Sequence, residues 1–316
     1  MQYCLYINPT IDKTVEVSGF VPGETNRAQE VRLDAGGKAI NVARVLKVLG
    51  GDPKVTGLVF RNDGDVIKNA LEEHSIFFDF HEREGSARSN LKIVDTTSGQ
   101  VTEINEPGHE VPDELLGRIA DELVNIAFQG DAAVLSGRLP VNAPSDYYAR
   151  LIGSLKEKQV RVYLDASGDA FREAVAKGPY LIKPNLSELE ELTDRPLRTI
   201  GDVTAAAREI ISRNGVKYVI VTFGSKGALA VNAEASAFAE GLDLKVGSTV
   251  GAGDAFVAGL IAREDASLVD MLKSGTAAAV GSVVLKGTQP CTPELYQEYL
   301  TKIVIDEGPD ETVIIC

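Results

Sequence analysis

The sequence predicts an α/β fold in three layers with a small projecting β-sheet, and three observations carry that expectation. Apolar runs of strand character alternate with segments of helical period, the pattern of a sheet covered by helices. Residues 14–33 and 88–105 break the rhythm: they carry alternating β-branched and turn residues and have no helical segment to cover them. A glycine-bracketed run at 248–259, STVGAGDAFVAG, passes directly into a small-residue apolar segment of helical character.

Taken in order, residues 2–7 read as the first strand. Residues 41–49 place Val42, Val45, Leu46 and Leu49 on one helical face, and Gly50-Gly51 ends that helix. Further strands are expected at 55–59, 132–135, 161–165, 181–183, 218–222 and 228–231. Helices fit 112–127, 145–158, 202–214 and 268–284. SNLKIVDTTSGQVTEIN reads as a hairpin turning at Thr97-Ser98-Gly99. A single domain over 1–316 is expected, with its core at 1–13, 34–87 and 106–316 and a lid at 14–33 and 88–105. A sheet projecting beside a ligand site can close over it, and its uncovered apolar face also offers a homodimer contact. The acidic IDEGPDE at 305–311 reads as solvated.

The 316 residues suffice for a large core. With 32 Lys and Arg against 46 Asp and Glu the net charge is −14, which argues against a nucleic-acid groove or an anionic membrane surface. No run of about 18 apolar residues occurs, and MQYCLYINPT lacks a basic stretch followed by an apolar one, so a cytoplasmic protein is expected. Cys4, Cys291 and Cys316 are odd in number and lack metal spacing, which suggests neither a disulfide framework nor a zinc site.

Three segments carry chemistry. In the first, Gly251 and Gly253 let backbone amides turn inward, the following helix adds the positive end of its dipole, and Asp254 sits beside them. A carboxylate would be repelled by an anion bound there unless the reaction needs a base, so Asp254 is the candidate general base for a hydroxyl attacking phosphorus. The competing reading is a glycine turn with an N-capping Asp. In the second, AGGKAINVARVLKVLG, Gly36-Gly37 permits close backbone approach, Lys38 supplies a cation, and Asn41 can donate and accept toward hydroxyls. In the third, NPTID, Asp12 could hold two sugar hydroxyls or form a turn, and the sequence leaves both open.

These segments together resemble the PfkB family of ribokinase-like sugar kinases, over almost the whole chain. GGKAINVARVLKVLG is similar to the family's N-terminal signature and STVGAGDAFVAG to its C-terminal one, about 200 residues apart. The resemblance implies an αβα core with a β-sheet lid and ATP-dependent phosphorylation of a sugar hydroxyl with Mg2+. It makes Asp254 the catalytic base and the amides of Gly251, Ala252 and Gly253 the anion hole. Lys183, Asn185 and Glu188 in KPNLSELE are similar to the element that organises Mg2+ and the triphosphate, with Glu188 meeting the metal through water; Asn185 could equally cap a helix. TFGSKG, with Thr222, Gly224 and Gly227, is similar to the nucleotide-binding turn, and Ser248 opens the C-terminal signature. Residues 275–283 suit an adenine slot or a buried helix.

Lys38, Arg88 and Arg27 could converge on a second anion, with Asn90 as a further contact. That combination resembles the 1-phosphofructokinase and tagatose-6-phosphate kinase branch, and within it STVGAGD and VTEINEPG are more similar to the 1-phosphofructokinases, which implies fructose 1-phosphate as substrate. Arg27 is similar to a lid residue that can reach a neighbouring subunit's site. Ala39, Arg138 and Ala166 depart from the branch pattern, and Arg138 either reinforces the phosphate site or fills space. Fructose 6-phosphate, tagatose 6-phosphate and a non-catalytic sugar-phosphate sensor are the alternatives. GAGDAF lacks the third glycine of a dinucleotide fingerprint, and no P-loop motif occurs.

Overall fold

A computed structural model describes residues 1–315. The chain begins with β1 (Gln2–Tyr6), β2 (Thr10–Val17), β3 (Ala28–Gly36), α1 (Lys38–Val48), β4 (Pro53–Phe60), α2 (Gly64–Glu72), β5 (Phe77–Arg83), β6 (Arg88–Asp95) and β7 (Val101–Asn105). It continues through α3 (Asp113–Ile126), β8 (Ala132–Ser136), α4 (Tyr147–Glu157), β9 (Arg161–Asp165), α5 (Gly168–Val175), β10 (Leu181–Ile182), α6 (Leu186–Thr193) and α7 (Ile200–Asn214). The last third holds β11 (Tyr218–Thr222), β12 (Gly227–Val231), β13 (Ser236–Glu240), α8 (Ala252–Ile261), α9 (Leu268–Val283), α10 (Pro293–Lys302) and β14 (Ile305–Asp306).

Ten strands form one sheet in the order β14-β13-β12-β11-β10-β9-β8-β1-β4-β5. From β11 to β5 every pairing is parallel, and β12 to β14 extend the edge antiparallel. Because β1 lies between β4 and β8, the chain first winds one way to β5 and then the other way to β11. The reversal at β1 leaves a crevice at the carboxyl ends of β1 and β8, which is where open α/β sheets bind ligands.

Both faces of this sheet are covered, as near-continuous apolar strands require. Along β1, Tyr3 and Leu5 pack into one core with Leu116, Leu151 and Val203 of α3, α4 and α7. Cys4 and Tyr6, one residue out of step, pack into the other with Val42, Ile67, Val257 and Leu272 of α1, α2, α8 and α9. The three layers therefore follow the sequence expectation. Cys4 and Cys291 are buried free thiols, and Cys316 lies outside the described residues.

The second sheet has the order β3-β2-β6-β7, with the expected hairpin joining β6 to β7. Its strands start at Thr10 and run to Gly36, closer to the large sheet than the 14–33 span expected. The helix α2 and the strand β5 were not anticipated between residues 60 and 88. Both are short, and FFDFHER offers no clean alternation.

Candidate active site

A cavity of about 500 Å3 opens at the carboxyl ends of β1, β8, β9 and β10 and is walled by the small sheet. Asp12, Gly37, Lys38, Asn41, Arg88, Asn90, Arg138, Lys183, Gly251, Gly253 and Asp254 all line it. Chemistry-bearing residues from both ends of the chain thus meet at the winding reversal.

Gly251 is the N-cap of α8 and sits in the left-handed region at φ 81°, with no side chain to cap the helix. Of the first amides of α8, that of Ala252 donates to the Thr249 carbonyl at 3.3 Å, and those that follow lack intrahelical acceptors, as at any helix start that can seat an anion. Asp254 lies inside the first turn, so the alternative of an N-capping Asp does not hold. Its carboxylate instead accepts a 2.8 Å hydrogen bond from Asn41 Nδ2 on α1. Asp254 is only 6% exposed. Burial pushes its pKa up to about 6, with Asp165 adding to the rise and Lys38, Asn41 and Lys183 opposing it.

Asp165, at the end of β9, was not singled out in the sequence, yet it organises the positive charge. Lys38 Nζ donates to its Oδ2 at 3.0 Å and Lys183 Nζ lies 3.2 Å from its Oδ1. Burial would raise the Asp165 pKa, but Lys183 and Lys38 outweigh it and hold the group below the usual carboxylate range. Lys38 is shifted upward: burial opposes its charge, and Asp165 and Asp254 more than compensate. The two lysines are thereby fixed beside the amide turn.

The small sheet supplies the opposite wall. Arg88, Asn90 and Lys92 alternate along β6 and so face the cavity together. Asp12 accepts from Asn90 Nδ2 at 2.9 Å and lies 3.5 Å from Lys92 Nζ, so it is a cavity residue within β2 and not a turn former. Arg88 donates through Nε to Thr10 Oγ1 at 2.9 Å and through Nη1 to the Glu106 carbonyl at 3.1 Å. Gly36 allows this packing, because a Cβ there would meet the Asp12 carboxyl at 2.8 Å. Arg138 is exposed at the rim, and its carbonyl accepts from Asn8 Nδ2. The buried atoms Asn41 Oδ1, Asn90 Oδ1 and Ser136 Oγ, all on residues that line the cavity, have no protein partner.

Other expected residues lie apart from this cavity. Arg27 is exposed ahead of β3 and does not line it, so within one chain it does not converge with Lys38 and Arg88. Asn185 and Glu188 form a reciprocal capping box on α6, with Asn185 Oδ1 accepting from the Glu188 amide and Glu188 Oε2 from the Asn185 amide. Asn185 also bridges to Thr222, placing the turn through Gly224 and Gly227 beside it. Ser248 accepts from the Val250 amide. Residues 275–283 are a largely buried stretch of α9 packed on α8. Of the cavity residues, Asp165, Lys92 and Ser136 escaped the sequence reading. Position at the end of a parallel strand would have flagged Asp165 and Ser136, and the period of two from Arg88 would have flagged Lys92.

A buried carboxylate at a glycine turn, with two lysines fixed beside it on one wall of a polar cavity, is the arrangement of a phosphotransferase with an alcohol acceptor. The chain belongs to the pfkB family carbohydrate kinases, whose pattern matches residues 7–295. It is 36% identical over 310 residues to a 1-phosphofructokinase of Xanthomonas campestris pv. campestris, covering 96% of this chain and 97% of that one. A 1-phosphofructokinase of Rhodobacter capsulatus is 35% identical over 291 residues, covering 91% and 92%. Phosphofructokinase-2 from Escherichia coli, solved with substrates and products, superposes with a TM-score of 0.90 at 29% identity, covering 95% of this chain and 98% of that one.

Proposed function

We propose that this kinase transfers the terminal phosphoryl group of ATP to the C6 hydroxyl of fructose 1-phosphate. The observation that supports it most directly is the Asp254 carboxylate, buried beside the Gly251–Gly253 amides and facing a cavity that also holds Lys38, Arg88 and Lys92. Asp254 takes the hydroxyl proton as the oxygen attacks phosphorus, and the new O–P bond forms as the bond to ADP breaks. The α8 amides and Lys183 stabilise the charge on the transferred group. Asp12 and Asn90 orient sugar hydroxyls, while Arg88, Lys38 and Lys92 favour a substrate that already carries a phosphate.

Among the described residues no cluster of three or more His, Cys, Asp or Glu could hold a metal. Glu188, one of whose carboxylate oxygens is taken up by the capping box, would hold Mg2+ through water, with the triphosphate as its main ligand. When bound, Mg2+ neutralises triphosphate charge.

Two readings of the small sheet accompany this one. As a lid, it excludes water from the transfer. As a contact surface, it presents Val31, Leu33 and Ile104, each more than half exposed, on the face away from the cavity, and a homodimer would cover them and bring Arg27 toward the other subunit. The deciding experiment compares kcat/KM with MgATP for fructose 1-phosphate, fructose 6-phosphate, tagatose 6-phosphate and fructose. Fructose 1-phosphate is expected to lead. A lead by another phosphate changes the substrate, and no ADP release with any of them removes the catalytic reading.

A further inference from the structure

A second cationic pocket lies at the junction of the small sheet with the core, beside the edge strand β3 and α1, on the same face of that sheet as Asp12. It has a volume of about 90 Å3 and is lined by Arg32, Asp34, Arg44, Lys286, Thr288 and Gln289. Three cations face one carboxylate there, in a chain whose net charge is −14.

The partners of each charged group are uneven. Arg32 is satisfied by Asp34, whose Oδ2 accepts from Arg32 Nε at 2.8 Å. Arg44, on α1, donates only a long 3.4 Å hydrogen bond from Nη1 to the Thr288 carbonyl, and its Nε is buried with no partner. Burial works against the Arg44 charge, with Asp34 and Glu73 opposing that effect. Lys286 is exposed at the rim and forms no ion pair among the described residues. A buried guanidinium N–H without an acceptor is unfavourable, and the outer nitrogens, which make only that one long hydrogen bond among the described residues, have room for an acceptor from outside the chain.

We infer that this pocket binds a small tetrahedral oxyanion, inorganic phosphate or the phosphoryl end of a small phosphomonoester, between Arg44 and Lys286. The guanidinium geometry of Arg44 suits two oxygens of such a group. Its occupation would tie three elements together: β3 through Arg32, α1 through Arg44, and the segment leaving α9 through Lys286. Gly287 is in close contact with Arg32, since a Cβ there would lie 2.6 Å from Arg32 Nη2.

Binding is measured by calorimetry on the full chain with sodium phosphate, against sodium chloride at equal ionic strength. The catalytic cavity also offers cations, so each titration is repeated in Arg88→Gln, which weakens anion binding there and leaves Arg44 and Lys286 in place. Wild type and Arg88→Gln should both show a phosphate site that Lys286→Glu weakens at least about tenfold and Arg44→Gln abolishes. Lys286 is exposed, so its replacement leaves the fold intact and keeps the test valid should Arg44→Gln fail to fold. Glycerol phosphate in place of phosphate separates the two sources: equal binding assigns the site to phosphomonoesters, weaker binding to the free ion. Phosphate affinity that is lost in Arg88→Gln, or unchanged in Lys286→Glu, overturns the inference. The outcome is independent of catalysis because no turnover is read.

Discussion

Asn41 donates its side-chain amide to Asp254 across 2.8 Å, joining two residues 213 positions apart. The bond holds the carboxylate at the wall of the cavity. It also leaves Asn41 Oδ1 buried without a protein partner.

Replacing Asp254 with Asn preserves shape and removes the base. Turnover should fall by at least ~100-fold, with ATP affinity nearly unchanged by equilibrium titration. Retained turnover would move the base elsewhere.

The pH dependence follows from a carboxyl raised to about 6 by burial. Turnover should rise with pH through that value and level off above it, because only the ionised form accepts a proton. Stability should move the other way. In the unfolded chain the group titrates near 3.9, so the folded state holds its proton more tightly, and the advantage present below about pH 4 is lost as pH rises through about 6. Thermal unfolding of Asp254→Asn against wild type should therefore favour the variant increasingly from pH 4 to pH 7. A constant difference would refute the raised pKa.

Asp165→Ala should destabilise the fold by ~3–5 kcal/mol in urea denaturation, since it strands Lys183, whose side chain is 7% exposed, without its counter-charge. Asp165→Asn should cost less. A loss of activity with no loss of stability would mean that Asp165 acts on substrate directly.

Arg88→Gln and Lys92→Gln should each weaken binding of the sugar phosphate by about 1.5–3 kcal/mol, the worth of a hydrogen bond to a charged group. The same variants should change KM for fructose far less. Equal effects on both sugars would detach these residues from the phosphate.

How far the sequence discloses this architecture depends on what each residue answers to. Val42, Val45 and Leu46 obey helical period and are buried as expected. Gly251 and Asp254 are legible because a turn and a helix start are local events. Asp165 is only half legible: its place at a strand end marks it as a candidate, but an Asp closing a strand looks the same whether it faces solvent or two lysines that arrive from residues 38 and 183. Arg27 shows the converse, a basic residue in a suggestive stretch that the fold leaves exposed. Glu188 carries two meanings at once, since the same oxygen pattern that could meet a metal also closes a capping box.

The pairing of α1 with α8 carries a consequence for biosynthesis. A ribosome adding about 5–20 residues per second releases Asn41 many seconds before Asp254. Until then the apolar side of α1, with Val42 and Leu46, lacks the helix that will cover it. A nascent chain halted in its middle third would thus be inert and adhesive together, and chaperone capture of such arrested fragments should centre on that uncovered helix.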